Sequence, residues 1–117
     1  MNDAMIHDST VYKILTGMEF AALEAGEFEG APVDLADGYI HLSTAAQVRE
    51  TVDRHFAGQS GLMVAAVDLA ALGGAVRWEA ARGGQKFPHL YGRLRMAAVV
   101  AHAPLARAAD GSVRLPG

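Results

Sequence analysis

Three side chains capable of proton or hydrogen-bond chemistry alternate along Gly38-Tyr39-Ile40-His41-Leu42-Ser43. In an extended strand Tyr39, His41 and Ser43 share one face, and Ile40 and Leu42 turn to the other. His41 is the one of the three whose ordinary pKa lies near neutrality. It is the candidate proton donor or acceptor, with Ser43 as an orienting hydroxyl. A direct His–Ser couple is not expected, because side chains two apart on a strand sit about 6.5–7 Å from each other. No G-x-S-x-G elbow surrounds the serine either. A half-exposed sheet face accounts for the alternation as well as a cleft does.

Two further segments carry candidate groups. In Val76-Arg77-Trp78-Glu79, Arg77 and Glu79 share a face, offering an anion partner and a carboxylate, or else two members of cross-strand ion pairs. Trp78, on the opposite face, is expected in the core. Phe87-Pro88-His89-Leu90-Tyr91-Gly92 reads as an aromatic, irregular segment stiffened by Pro88. Phe87, His89 and Tyr91 either line a ligand pocket or replace large core residues missing elsewhere. The five histidines (His7, His41, His55, His89 and His102) show no H-E-x-x-H or other ligand spacing, and the chain has no cysteine, so no metal is expected. Gly73-Gly74 and Gly83-Gly84 match no phosphate-cradling loop.

The elements that must hold these groups follow from local pattern. Val11 to Leu15 is a β-branched and aromatic strand, so Tyr12 and Lys13 lie on it. Thr16 and Glu19 form a capping box for a helix that Gly26 stops. Glu27 to Gly38, with Gly30, Pro32 and Gly38, reads as loop. Thr44 and Gln47 form a second box ahead of a helix with a Val48, Val52, Phe56 stripe. Leu62 to Val67 is a strand buried on both faces, Asp68 caps the turn Leu69 to Leu72, and Leu94 to Ala101 is a last long strand. Asp110-Gly111 marks a turn between two short strands. Helices early and strands late favour an α+β fold.

The 117 residues suffice for one domain, expected over 10–117 behind a flexible 1–9 segment. An apolar fraction of 51% with 20% charged residues excludes a disordered chain. Because 23 of the residues are alanine, the eight Phe, Tyr and Trp side chains must carry much of the packing. A net charge of −3 with dispersed Lys and Arg argues against a nucleic-acid partner. No apolar run approaches the roughly 20 residues that span a bilayer, and Met1 to Asp8 has no signal-peptide pattern. A cytoplasmic protein with a small-molecule ligand is expected; the oligomeric state is not legible.

Taken in order, Tyr12-Lys13-Ile14, Gly38 to Thr44 with Gln47 and Thr51, Val67-Asp68, Arg77-Trp78-Glu79 and Phe87 to Gly92 resemble the bacterial family catalogued as domain of unknown function 952. The resemblance covers about residues 10 to 105 and implies an ADP-ribosyltransferase-like fold: two small, mostly antiparallel sheets around a cleft, with two main helices early in the chain. It is similar to RNA 2′-phosphotransferases in its His-x-Ser strand. In the cleft that the resemblance implies, the candidate catalytic residues are His41, Ser43 and, as the one nominated carboxylate, Glu79. The candidate ligand contacts are Tyr12, Lys13, Tyr39, Arg77, Phe87, His89 and Tyr91, with NAD as the cofactor suggested by fold analogy. Lys13 stands where those transferases carry Arg or His, and Glu79 is not in a context that matches their late Gln/Glu-x-Glu or lone Glu. A noncatalytic ligand-sensing or protein-interaction module on the same fold is the alternative.

Overall fold

The structure is a computed structural model that describes residues 9–117; His7 and the expected N-terminal segment, save Ser9, lie outside the described residues. Among the described residues, two antiparallel three-stranded sheets and four helices make an α+β fold. The first sheet has the order β1 (Thr10–Leu15), β3 (Met63–Asp68), β6 (Val99–Pro104). Its central strand is the apolar run, with Val64, Ala65, Ala66 and Val67 all fully buried. The second sheet has the order β2 (Ile40–His41), β5 (Lys86–Leu90), β4 (Val76–Ala80).

The first sheet packs on both faces, as strand alternation requires. Val11, Leu15 and Val67 join Phe20, Leu23, Ile40, Leu42 and Leu90 in the larger core. Tyr12, Ile14, Val64 and Ala66 meet Val48, Val52 and Leu62 in a second. Helix α1 (Gly17–Glu24) begins with the expected box: Glu19 N–H donates to Thr16 Oγ1, and Thr16 N–H donates to Glu19 Oε1. Helix α4 (Leu69–Leu72) is capped by Asp68, which accepts from Ala70 N–H at 3.1 Å.

Several expectations need correction. The stretch Glu27 to Gly38 is not all loop, for it contains α2 (Pro32–Asp37). Pro32 fits a first helical turn because its missing N–H has no intrahelical partner there. Asp34 Oδ2 accepts from Ala31 N–H at 2.8 Å, and Gly38, at φ +87°, ends the helix in a conformation that favours glycine. The second main helix, α3 (Val48–His55), starts only after a 3-10 turn over Ala45–Gln47, although Gln47 Oε1 does accept from Thr44 N–H. The last strand begins at Val99, behind a 3-10 turn over Met96–Ala98. Asp110-Gly111 does make a turn, flanked by a single Arg107–Val113 bridge rather than two strands.

The strand expected over Gly38 to Ser43 is split between the sheets. Ile40 and His41 pair with Leu90 and His89, whereas Ser43 bridges Tyr12 of the first sheet. The chain changes sheets at Leu42. This explains how Phe87 to Leu90, expected to be irregular, becomes a central strand despite Pro88. The Pro88 carbonyl accepts from Leu42 N–H at 3.1 Å, so its N–H-less edge faces the side where β2 departs. The ladder to β4 loses nothing. Trp78 is also misassigned: on the edge strand β4 it is 44% exposed. Trp78→Ala is therefore expected to lower stability by less than about 2 kcal/mol, against roughly 3–5 kcal/mol for a buried tryptophan. Thermal melting checks this, and a core-sized loss would mean the indole is packed after all.

Candidate functional site

Across the second sheet, Arg77 pairs with His89, Glu79 with Phe87, and His41 with His89. Residues directly opposite share a face, so all five side chains project from the side away from Ile40 and Leu90. The sheet is thus two-faced, with a leucine core beneath and a polar, aromatic surface above. Where this surface meets the first sheet at the Tyr12–Ser43 bridge, a cavity of about 610 Å3 opens. Its wall includes Tyr12, Lys13, His41, Ser43, Phe87 and His89, with Asp37 from α2 and Thr51 and His55 from α3.

One side is built on a buried ion pair. Lys13 Nζ lies 2.9 and 3.2 Å from the two Asp34 oxygens, with both side chains almost fully buried. Asp34 Oδ1 also accepts from His41 N–H at 3.1 Å, while Lys13 Nζ donates to the His41 carbonyl at 3.0 Å. The outer edge of the short strand β2 is therefore satisfied by two charged side chains in place of a neighbouring strand. Burial alone would push the Asp34 carboxyl up. The hydrogen bond from His41 and the Lys13 ammonium outweigh it and hold the group at about 2, against its ordinary 3.8.

The same carboxylate orients the His41 ring, with Nδ1 donating to Asp34 Oδ1 at 2.7 Å. Nε2 lies 2.9 Å from Asp37 Oδ2. Carboxylate oxygens only accept, so both contacts are hydrogen bonds when the ring carries both protons. Ser43 Oγ is 3.0 Å from Thr51 Oγ1; its hydroxyl is tied to α3 and not to the imidazole.

A second carboxylate–imidazole pair stands beside the first. His89 Nδ1 lies 2.8 Å from Glu79 Oε1, which also accepts from the Tyr91 hydroxyl at 2.8 Å. These two hydrogen bonds, first from His89 and then from Tyr91, hold the Glu79 carboxyl below its usual range, and the bond to Glu79 raises Tyr91. Tyr39 stacks on His89 with ring centroids 4.1 Å apart, and the two imidazoles meet edge-on at 5.5 Å. Arg77 covers the outer face of Tyr91 at 4.9 Å.

A family profile described as protein of unknown function (DUF952) matches residues 14–102. The chain belongs to the DUF952 family. The crystal structure of protein CC0527 from Caulobacter crescentus is 47% identical, superposes with a TM-score of 0.81, and is matched over 90% of this chain and 93% of that one. The solution structure of the same protein, also 47% identical, gives a TM-score of 0.75 over 90% of each chain. No curated protein gives a significant match.

In this DUF952 member the residues singled out in the sequence fall into two groups. Tyr12, Lys13, His41, Ser43, Phe87 and His89 line one cavity. Tyr39, Arg77, Glu79 and Tyr91 stand off its wall, joined to it through the ring and Nδ1 of His89. Asp34, which organises both Lys13 and His41, was hidden in an apparent loop. Its signal was Pro32 followed by an acid two residues on, the mark of a helix start. Among the described residues no group of three or more His, Asp or Glu side chains is placed to hold a metal ion. No helix among them is long and apolar enough to cross a membrane.

Proposed function

We propose that the protein binds a nucleotide such as NAD or an ADP-ribose-like molecule, or another small anionic ligand, in the cavity where the two sheets meet. The fold is read as ADP-ribosyltransferase-like and its setting as cytoplasmic. The observation that carries the reading is the convergence of His41, His89, Tyr12 and Ser43, drawn from both sheets, on one cavity of about 610 Å3. That volume suits a small-molecule site lined by apolar walls and a few placed polar groups. Two antiparallel sheets with the cavity at their seam support the fold assignment.

In this reading Phe87 stacks on a ring of the ligand. His41, oriented by Asp34, exchanges a proton, and Ser43 helps orient the ligand. Arg77, exposed on the same sheet face, serves a phosphate. If the ligand is cleaved at a ribosyl carbon, orientation and charge stabilisation do most of the work, with Glu79 acting through His89. Near-saturating ligand, about 100 times Kd, stabilises a protein by about 2.7 kcal/mol. NAD, ADP-ribose or a mononucleotide should then raise the melting temperature by roughly 10 °C. No rise at millimolar concentrations of any of them would remove the nucleotide reading.

A noncatalytic ligand-sensing module is the second reading. One observation favours it: Glu79, the nominated carboxylate, is off the cavity wall and already accepts from His89 and Tyr91. Assaying free nicotinamide separates the two. Release from NAD supports the transferase reading, and binding without release supports the sensor.

A further inference from the structure

Two residues of the cavity wall each carry a polar side-chain atom without a partner among the described residues. Tyr12 is 9% exposed, and its hydroxyl has no hydrogen-bond partner among the described residues. His89 is 4% exposed; Nδ1 is committed to Glu79, one ring face is covered by Tyr39, and Nε2 is unmatched. Buried polar groups are nearly always paired, and an orphan calls for a ligand or solvent partner. Here there are two, on one cavity.

Their chemistry limits what fits. Glu79 Oε1 only accepts, so His89 donates through Nδ1, and Nε2 is the ring atom left for a ligand. A ligand hydroxyl can meet Nε2 whichever role that nitrogen takes. The fixed charges point the same way. Lys13 is the sole Lys or Arg on the wall among the described residues, and its ammonium is used up by Asp34 and the His41 carbonyl. Glu19 and Asp37 add negative charge, and Arg77 is off the wall.

We propose that the cavity takes an uncharged, hydroxyl-bearing molecule or moiety, gripped by the Tyr12 hydroxyl and His89 Nε2, with Glu79 and Tyr91 as positioning residues that hold the His89 ring through Nδ1. A hydroxyl both donates and accepts, and so satisfies either group. The inference rests on the reading of this cavity as a ligand site; it narrows that reading to the nucleoside part of a nucleotide, with any phosphates outside the cavity, and sets aside a wholly anionic ligand.

Chemical-shift titrations with adenosine, ribose and pyrophosphate test it, alongside NAD and ADP-ribose. Adenosine and ribose should move signals of cavity residues, and pyrophosphate should leave them unmoved. Tyr12→Phe, which removes one oxygen and preserves the fold, and His89→Phe should each weaken adenosine about tenfold. Glu79→Gln should weaken it severalfold and shift the His89 ring 15N signals, because an amide can accept from Nδ1–H or donate to a bare Nδ1. Pyrophosphate seated in the cavity, or adenosine binding indifferent to Tyr12→Phe and His89→Phe, would overturn the inference while leaving a ligand site. If none of the five probes moves a cavity signal, the ligand-site reading fails and takes this one with it.

Discussion

Asp34→Ala is expected to lower stability by about 3–5 kcal/mol, because it strands a buried ammonium. Lys13 is within 3.2 Å of both Asp34 oxygens, and the two side chains are only 6% and 1% exposed. The substitution also orphans His41 N–H and Ala31 N–H, both of which donate to that carboxylate. At about 4 °C per kcal/mol for a chain of this size, the melting temperature should fall by roughly 12–20 °C. Lys13→Met should cost less, since Asp34 keeps its donors from His41 and Ala31. A melting temperature within a few degrees of the wild type for Asp34→Ala would show that the pair is not the buried clasp described.

The same group sets an acid limit. Asp34 is held at about 2 in the folded chain against an ordinary 3.8. The unfolded state therefore takes up the proton first, and stability rises with pH through this window. The contribution, on the order of 2 kcal/mol, is complete above about pH 4 and is lost as pH falls toward 2. Urea unfolding of wild type and Asp34→Asn between those limits measures it; the asparagine variant should lack that part of the slope.

Leu90→Ala carries the second large effect, about 2–5 kcal/mol. Leu90 is 1% exposed and packs into the larger core, one residue from His89 and on the opposite face of the same strand. Truncation removes the apolar support beneath the two histidines, so His89 should lose its fixed geometry along with the stability. Urea denaturation gives the free energy. A loss below about 1 kcal/mol would mean that the second sheet is not anchored through this side.

What the sequence disclosed and what it hid differ in range. The apolar run of β3, the Thr16–Glu19 box and the Asp68 cap depend on neighbours within a few residues, and each was legible. Asp34 works on partners seven and 21 residues away, so its local context showed only a Pro- and Gly-bearing connection. The change of sheet at Leu42 and the acceptance of Pro88 in a central strand depend on one another, and neither has a local signature. Trp78 failed for a related reason. Alternation told its face but not that β4 would lie at the edge. His41, Ser43 and His89 could be named from residue type; that one cavity touches all three, while Arg77 and Glu79 stand off it, is a matter of tertiary placement.

Soaking or co-crystallising the protein with ADP-ribose would locate a bound molecule outright. Electron density between the two sheets, touching His41, Phe87 and His89, is the expected outcome. A well-ordered ligand bound elsewhere on the surface, with that hollow filled only by solvent, would contradict the account.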